Sequence, residues 1–263
     1  MGFSPDWLAL REPADRAARD GALLAAAARA AGPAPVIVDI GCGTGSMLRA
    51  MGDLVGDGAR WRLVDNDPIL LAAAVAAADG QAEGHLLDLA DLEALPLDGA
   101  TLVTASALLD LVSHDWLARL VALLGERKVP LHAGLSYDGR MFWDPPHVSD
   151  AAITEAFNRH QRRDKGLGPA LGPDAVDAAA GLFRAHGFVV RTASSPWQLD
   201  AADAALHSEL LRGVADAAEE AGADDARGWL VDRLQAVSRT RCRIGHVDLL
   251  AQLRAPGPRG GRA

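Results

Sequence analysis

The sequence predicts an α/β fold, a mostly parallel sheet with helices on both faces, on three observations. Short apolar runs rich in β-branched residues recur along the first half of the chain, separated by alanine-rich segments of helical composition. The first of these runs ends in a cluster of glycines, Gly41, Gly43 and Gly45, after which a helical pattern opens. Apolar residues make up 49% of the 263 residues against 23% charged, enough to build one sizeable core.

The elements follow in order. Residues 11–31 favour helix strongly, and Gly32-Pro33-Ala34-Pro35 stops it. Val36-Ile37-Val38-Asp39-Ile40 is apolar but for one acid, the profile of a buried parallel strand. A short helix spans residues 44–54, a second strand 61–65, and a helix with Pro68 in its first turn 68–78. Residues 85–88 and 101–106 read as the third and fourth strands, 115–124 as a helix and 129–136 as the fifth strand. Strand–helix repeats of this length require right-handed crossovers and hence a sheet covered on both faces. Residues 137–172, rich in aromatics, histidine, proline and glycine, break the pattern and read as a lid. Regularity returns with a helix at 174–186, a strand at 188–193, helices across 202–240 and a last strand at 245–253. The expected organisation is a single domain over 1–255, with 1–31 as an N-terminal helical cap and 256–263 as a disordered tail.

Composition narrows the function classes. Lys+Arg is 26 against Asp+Glu 35, a net charge of -9, which disfavours a phosphate backbone as partner. Cys42 and Cys242 are too few for a disulfide framework and fit a reducing cytoplasm. The N-terminus carries charges where a signal peptide needs an apolar core, and the longest apolar run, residues 22–31, is broken by Arg29. The expectation is a cytoplasmic monomer or homodimer away from membranes. The histidines are scattered and no ligand spacing for a metal is present.

The stretch 36–45 is the most informative. A strand ends, the chain turns on three glycines spaced by single residues, and a helix begins. Glycine leaves no side chain between backbone and ligand, and the helix N-terminus presents free N–H groups. A dinucleotide loop would place its third glycine where Ser46 stands, and the acid Asp39 just before the loop opposes a pyrophosphate. The loop instead favours a nucleoside ligand bearing positive charge.

Asp39-Ile40-Gly41-Cys42-Gly43-Thr44-Gly45 resembles the first motif of the class I S-adenosylmethionine-dependent methyltransferases. Leu63-Val64-Asp65-Asn66-Asp67-Pro68 is similar to that family's second motif, and His85-Leu86-Leu87-Asp88-Leu89 to its third. The resemblance is densest over residues 36–136. It implies a Rossmann-like methyltransferase fold, a seven-stranded sheet in the order 3-2-1-4-5-7-6 with a helical lid, and S-adenosyl-L-methionine as cofactor. It also implies roles: Asp65 for the ribose hydroxyls, with Asn66 beside it, and Asp88 and Leu89 for the adenine. Gly41, Cys42, Gly43 and Gly45 then cradle the ligand, Asp39 and Ser106 lie near the methionyl end, and Arg19 or Arg16, on one helical face with Arg11, meets the carboxylate. Thr101 departs from the aspartate many relatives carry before the fourth strand.

On the acceptor side, Asp110 interrupts an apolar run after the fourth strand, and Tyr137 is the only tyrosine. With His160 they are the candidate catalytic residues. Trp143, His147 and Asp164 are the candidate substrate contacts. Asp144-Pro145-Pro146-His147 resembles the motif of nitrogen methyltransferases but follows the fifth strand rather than the fourth, so it reads as a loop. The function expected is methyl transfer to oxygen or nitrogen of a small molecule. The alternatives are RNA or protein methylation, and a non-catalytic S-adenosylmethionine binder.

Overall fold

The computed structural model describes residues 4–253. The tail expected at 256–263 lies outside the described residues. Strand β1 (Val36–Ile40) is buried at all its positions and sits mid-sheet, between β2 (Arg60–Asp65) and β4 (Leu102–Ser106). Beyond these lie β3 (Ala82–Leu86) and β5 (Leu131–Asp144), all parallel. The far edge is antiparallel: β8 (Arg241–Leu253) pairs β5, and β6 (Phe188–Ser194) pairs β8. The order is β3-β2-β1-β4-β5-β8-β6, with β7 (Trp197–Leu199) paired to the first part of β8. This is the expected topology with one added strand, whose three residues are too few to show a period in the sequence.

Two cores cover the sheet. On one face α2 (Gly21–Ala31), α3 (Ser46–Val55) and α4 (Pro68–Ala77) bury Ile37, Leu63 and Leu102. On the other, α5 (His114–Arg127) and α7 (Ala175–Ala185) bury Val38, Ile40 and Val103. Ser113 caps α5 by accepting the Trp116 N–H, as its sequence position anticipates. A third core lies beyond the sheet proper. There α1 (Pro5–Ala18), α6 (Asp150–Gln161), α8 (Ala204–Glu220) and α9 (Ala226–Ala236) close over the outer lengths of β5 and β8, around Tyr137, Trp143, Trp197 and Trp229.

Two expectations change. Residues 11–31 form two helices, because Asp20 accepts the Leu23 N–H at 2.7 Å and caps a new start. The stretch 202–240 holds the helices expected there, α8 and α9. Residues 137–144 are strand rather than irregular lid, and the cap draws on α1, α8 and α9 as well as on 137–172. Register shifts in β5, with Leu135 at φ +58°, interrupt the period-2 alternation and hide the strand from a sequence reading. No helix among the described residues is long and apolar enough to cross a membrane.

Candidate functional site

The crossover from β1 to α3 turns on Gly41, Gly43 and Gly45 at φ +63°, +55° and +84°. A side chain at Gly43 would point at Leu8, its Cβ 3.2 Å from Cδ1. The turn is tied down: Cys42 N–H donates to the Val64 carbonyl at 3.0 Å, and Gly45 N–H to the Cys42 carbonyl at 2.9 Å. Asp65, at the end of β2, is aimed by two backbone amides. Gly43 N–H donates to Oδ2 at 2.8 Å and Asp67 N–H to Oδ1 at 3.0 Å, which leaves lone pairs on both oxygens for a ligand. Asp67 in turn caps α4 by accepting the Ile69 and Leu70 N–H groups.

A cleft of about 370 Å³ opens over this turn, at the carboxyl ends of the strands beside the switch point between β1 and β4, where β1 leads to β2 on one side and the chain returns from β3 to β4 on the other. Gly41, Cys42, Gly43, Asp65, Asn66, Asp88, Leu89 and Ser106 line it. Asp88 accepts the Ala90 N–H at 2.9 Å, and the Leu89 carbonyl accepts Trp116 Nε1–H at 2.6 Å, which holds this wall in place.

Arg19, Asp39 and Gly45 lie behind the lining. Asp39 is 1% exposed; one oxygen accepts Thr104 Oγ1–H at 2.7 Å and the other has no partner among the described residues. Burial pushes its pKa up to about 7, against the opposing pull of the Thr104 hydroxyl and the Arg19 charge, with Asp65 adding to the rise. A buried carboxylate left half-satisfied is costly unless a cation meets it. Arg19, buried at the C-terminus of α1, donates to Ser106 Oγ at 2.6 Å and Ser46 Oγ at 3.4 Å, and both serines line the cleft. Gly134 makes room for it, since a Cβ there would stand 2.6 Å from Arg19 Nη1. Arg16 is exposed, so the guanidinium that reaches the cleft from α1's end is Arg19's.

The far wall is built by Leu8, Arg11 and Asp15 from α1, by Ala107, Leu108 and Leu111 after β4, and by Lys165, Gly166 and Leu167. Arg11 Nε pairs with Asp15 at 2.9 Å, Trp197 Nε1–H donates to the same carboxylate at 2.9 Å, and the guanidinium lies 5.0 Å over the Trp197 ring. Asp110 sits just below this wall, 8% exposed, with Oδ1 unpartnered among the described residues. Burial raises its pKa to about 6. Tyr137 is buried and its hydroxyl donates to Asn158 Oδ1 at 2.9 Å. His160 is buried between Glu220 and Lys165. Asp164, expected as a substrate contact, does not line the cleft itself: it accepts the N–H groups of Gly166 and Gly168 at 2.7 and 3.1 Å, shaping the loop that lays Lys165 over the cleft.

Two expected substrate contacts fall elsewhere. Trp143 is in the third core, where Nε1–H donates to His207 Nε2 at 3.2 Å and the ring meets Trp229 edge-on. His147 joins the start of α6 to Asp232 on α9 at 3.2 Å. Neither lines the cleft, because both lie past the buried stretch of β5, within or beside the helical cap. Arg11, Asp15 and Lys165 also line the cleft, and no motif marks them. The i,i+4 spacing of Arg11 and Asp15 was visible, as was the rarity of lysine: only Lys128 and Lys165 occur.

No protein-family model and no curated protein matches the chain. Solved structures do resemble it. The YcgJ protein of Bacillus subtilis superposes with a TM-score of 0.53 at 11% identity, covering 90% of this chain and 100% of that one. A candidate methyltransferase from Bacillus halodurans gives 0.52 at 12% identity, with 89% and 100% covered. The cyclopropane synthase MmaA2 of Mycobacterium tuberculosis gives 0.51 at 14% identity, with 95% of both chains covered. The chain therefore has the Rossmann-like methyltransferase fold.

Proposed function

We propose that this chain transfers a methyl group from S-adenosylmethionine to a small-molecule acceptor. The observation that carries the reading is the pair of carboxylates flanking a side-chain-free turn, Asp65 facing the cleft and Asp39 buried behind it with an unpartnered oxygen. A ligand joining ribose hydroxyls to a positively charged amino-acid moiety suits both. In this reading Asp65 accepts from the ribose, the wall at Asp88 and Leu89 takes the base, and Ser46, Ser106 and Arg19 face the carboxylate end.

When bound, S-adenosylmethionine supplies a methyl already activated on a sulfonium. The chain's own part is to hold an acceptor in line with it, to exclude water and to take up a proton where the acceptor loses one. The far wall of Leu108, Leu111 and Leu167 provides the apolar surface for the first two tasks. Asp110 is the best-placed of the three candidate bases. Its raised pKa near 6 keeps it a carboxylate at neutral pH while leaving it more basic than an ordinary aspartate. Tyr137 is occupied by Asn158, and burial raises its phenol further from ionisation.

Two predictions follow from the cofactor half. Asp65→Ala should weaken S-adenosylhomocysteine binding by about 1–3 kcal/mol through the lost hydrogen bonds, read by calorimetry; an unchanged Kd would remove Asp65 from the site. Asp39 yields a pH dependence. With a pKa near 7 it is protonated below that value and charged above it, so affinity for the cationic S-adenosylmethionine should rise with pH across about 6 to 8. Asp39→Asn should flatten the rise, and a rise that persists in that variant would assign it to another group. Turnover itself is tested by incubating the protein with isotopically labelled S-adenosylmethionine and a panel of small metabolites. Absence of any labelled product, with cofactor binding intact, would leave a binding protein.

A further inference from the structure

The acceptor half of the cleft holds three charged side chains, and two of them satisfy each other. Arg11 and Asp15 form a bidentate pair, with Asp15 also taking the Trp197 N–H. The third is Lys165. No carboxylate among the described residues lies within ion-pair distance of its Nζ, whose contact is His160 Nδ1 at 3.2 Å. His160 is itself fixed, Nε2 standing 3.0 Å from Glu220 Oε2. A neutral imidazole donating from Nε2 to Glu220 must accept at Nδ1, so this chain of contacts orients one ammonium N–H and leaves two unspent. The loop is shaped to keep that head over the cleft. Asp164 gathers the N–H groups of Gly166 and Gly168, and the strand-like bridge between Ser113 and Ala170 pins its far end beside the start of α5.

We infer that Lys165, steadied by His160 and Glu220, is the anion-recognition residue of the acceptor pocket, so that the acceptor carries a carboxylate or a phosphate. The inference rests on the methyl-transfer reading of the cleft and adds to it the charge of the acceptor. Other charges at the cleft agree with this assignment. Asp65, Asp67 and Asp88 belong to the wall at the ends of β2 and β3, and Asp110 is buried beneath the lining rather than in it. Partial burial and the nearby Arg163 charge lower the pKa of Lys165, while Glu220 and Asp110 oppose that shift. Beside a cationic methyl donor, a second cation attracts an anionic acceptor and disfavours an amine that must approach as ammonium. Choice of residue points the same way, for in a chain with 26 basic residues lysine appears only at positions 128 and 165. His160 and Glu220 act through Lys165 and are positioning residues.

The two lysines make the test specific. Protein labelled with carbon-13 at lysine Cε yields two side-chain signals, and exposed Lys128 serves as an internal control. The labelled protein is saturated with S-adenosylhomocysteine and titrated with benzoate, phenyl phosphate and the neutral benzamide. The expected result is that one or both anions shift the Lys165 signal saturably, that benzamide and the Lys128 signal do not follow, and that the better anion identifies carboxylate or phosphate. Lys165→Met should weaken that anion at least tenfold, measured by calorimetry, and leave S-adenosylhomocysteine affinity unchanged. Glu220→Gln should weaken the anion less while moving the Lys165 signal in the free protein. If S-adenosylhomocysteine binds but the anions leave Lys165 unmoved, or benzamide moves it equally, the inference is overturned and the methyl-transfer reading stands. If S-adenosylhomocysteine itself does not bind, the reading beneath it fails.

Discussion

Gly43→Val should abolish cofactor binding while leaving the protein folded. The backbone there is at φ +55°, a region that costs a β-branched residue roughly 1–3 kcal/mol, and its Cβ would press on Leu8 from the cleft side. Worse for a ligand, the valine methyls would occupy the space directly above the turn. Gly43 N–H also positions Asp65, so distortion of the turn would misalign the second carboxylate. The strain lowers fold stability, while the filled space and the misaligned Asp65 should cost binding at least about 3 kcal/mol, more than a hundredfold in Kd for S-adenosylhomocysteine. Calorimetry reads the affinity and circular dichroism the fold. Gly43→Ala keeps the strain but fills less space, and should lose less. A valine variant that binds at wild-type affinity would place the ligand away from this turn.

Arg233→Ala should give the largest loss of stability. Arg233 is nearly fully buried in α9 and grips Asp150 at the start of α6 through Nε at 3.1 Å and through Nη2, while Nη1–H donates to the Pro145 carbonyl at 2.9 Å. Asp150 also accepts Trp229 Nε1–H at 2.8 Å and the His147 N–H at 2.8 Å. The guanidinium covers the Trp143 ring at 5.2 Å. Removing one member strands the other charge in the cap, a penalty of about 3–5 kcal/mol. For a protein of this size that corresponds to a fall in Tm of about 10 °C. Arg233→Met combined with Asp150→Leu, which removes both charges and keeps volume, should lose much less. Equal losses in the single and double variants would show that packing, not the stranded charge, dominates. Cofactor affinity should hold in all of these, because none of the residues in this network lines the cleft.

The glycine turn and its flanking acids were legible in the sequence because these parts are local. A strand, a turn and a helix N-terminus lie within the ten residues 36–45, and the glycine pattern is itself the record of positive φ. Asp65 and Asp88 stand at the ends of neighbouring parallel strands, so sequence order alone brings them to one edge of the sheet. The helical cap was not legible in the same way. Its strand at 137–144 has no clean alternation, since bulges shift the register, and its aromatics read equally well as pocket or core. From the sequence Trp143 and His147 read as substrate contacts; the fold buries one against Trp229 and ties the other to Asp232.

The strand–helix alternation, the glycine turn and the acids beside it are readable from the chain because each depends on residues close together, and the strand order is what the motif resemblance implied. Packing settles which charges are spent. Arg11 finds Asp15 and Trp197, His160 finds Glu220 sixty residues away, Arg19 reaches Ser106, and Lys165 is left facing the cleft. The physical reason is that a buried or half-buried charge takes its meaning from the partners within a few ångströms, and packing, not spacing in the chain, chooses those partners.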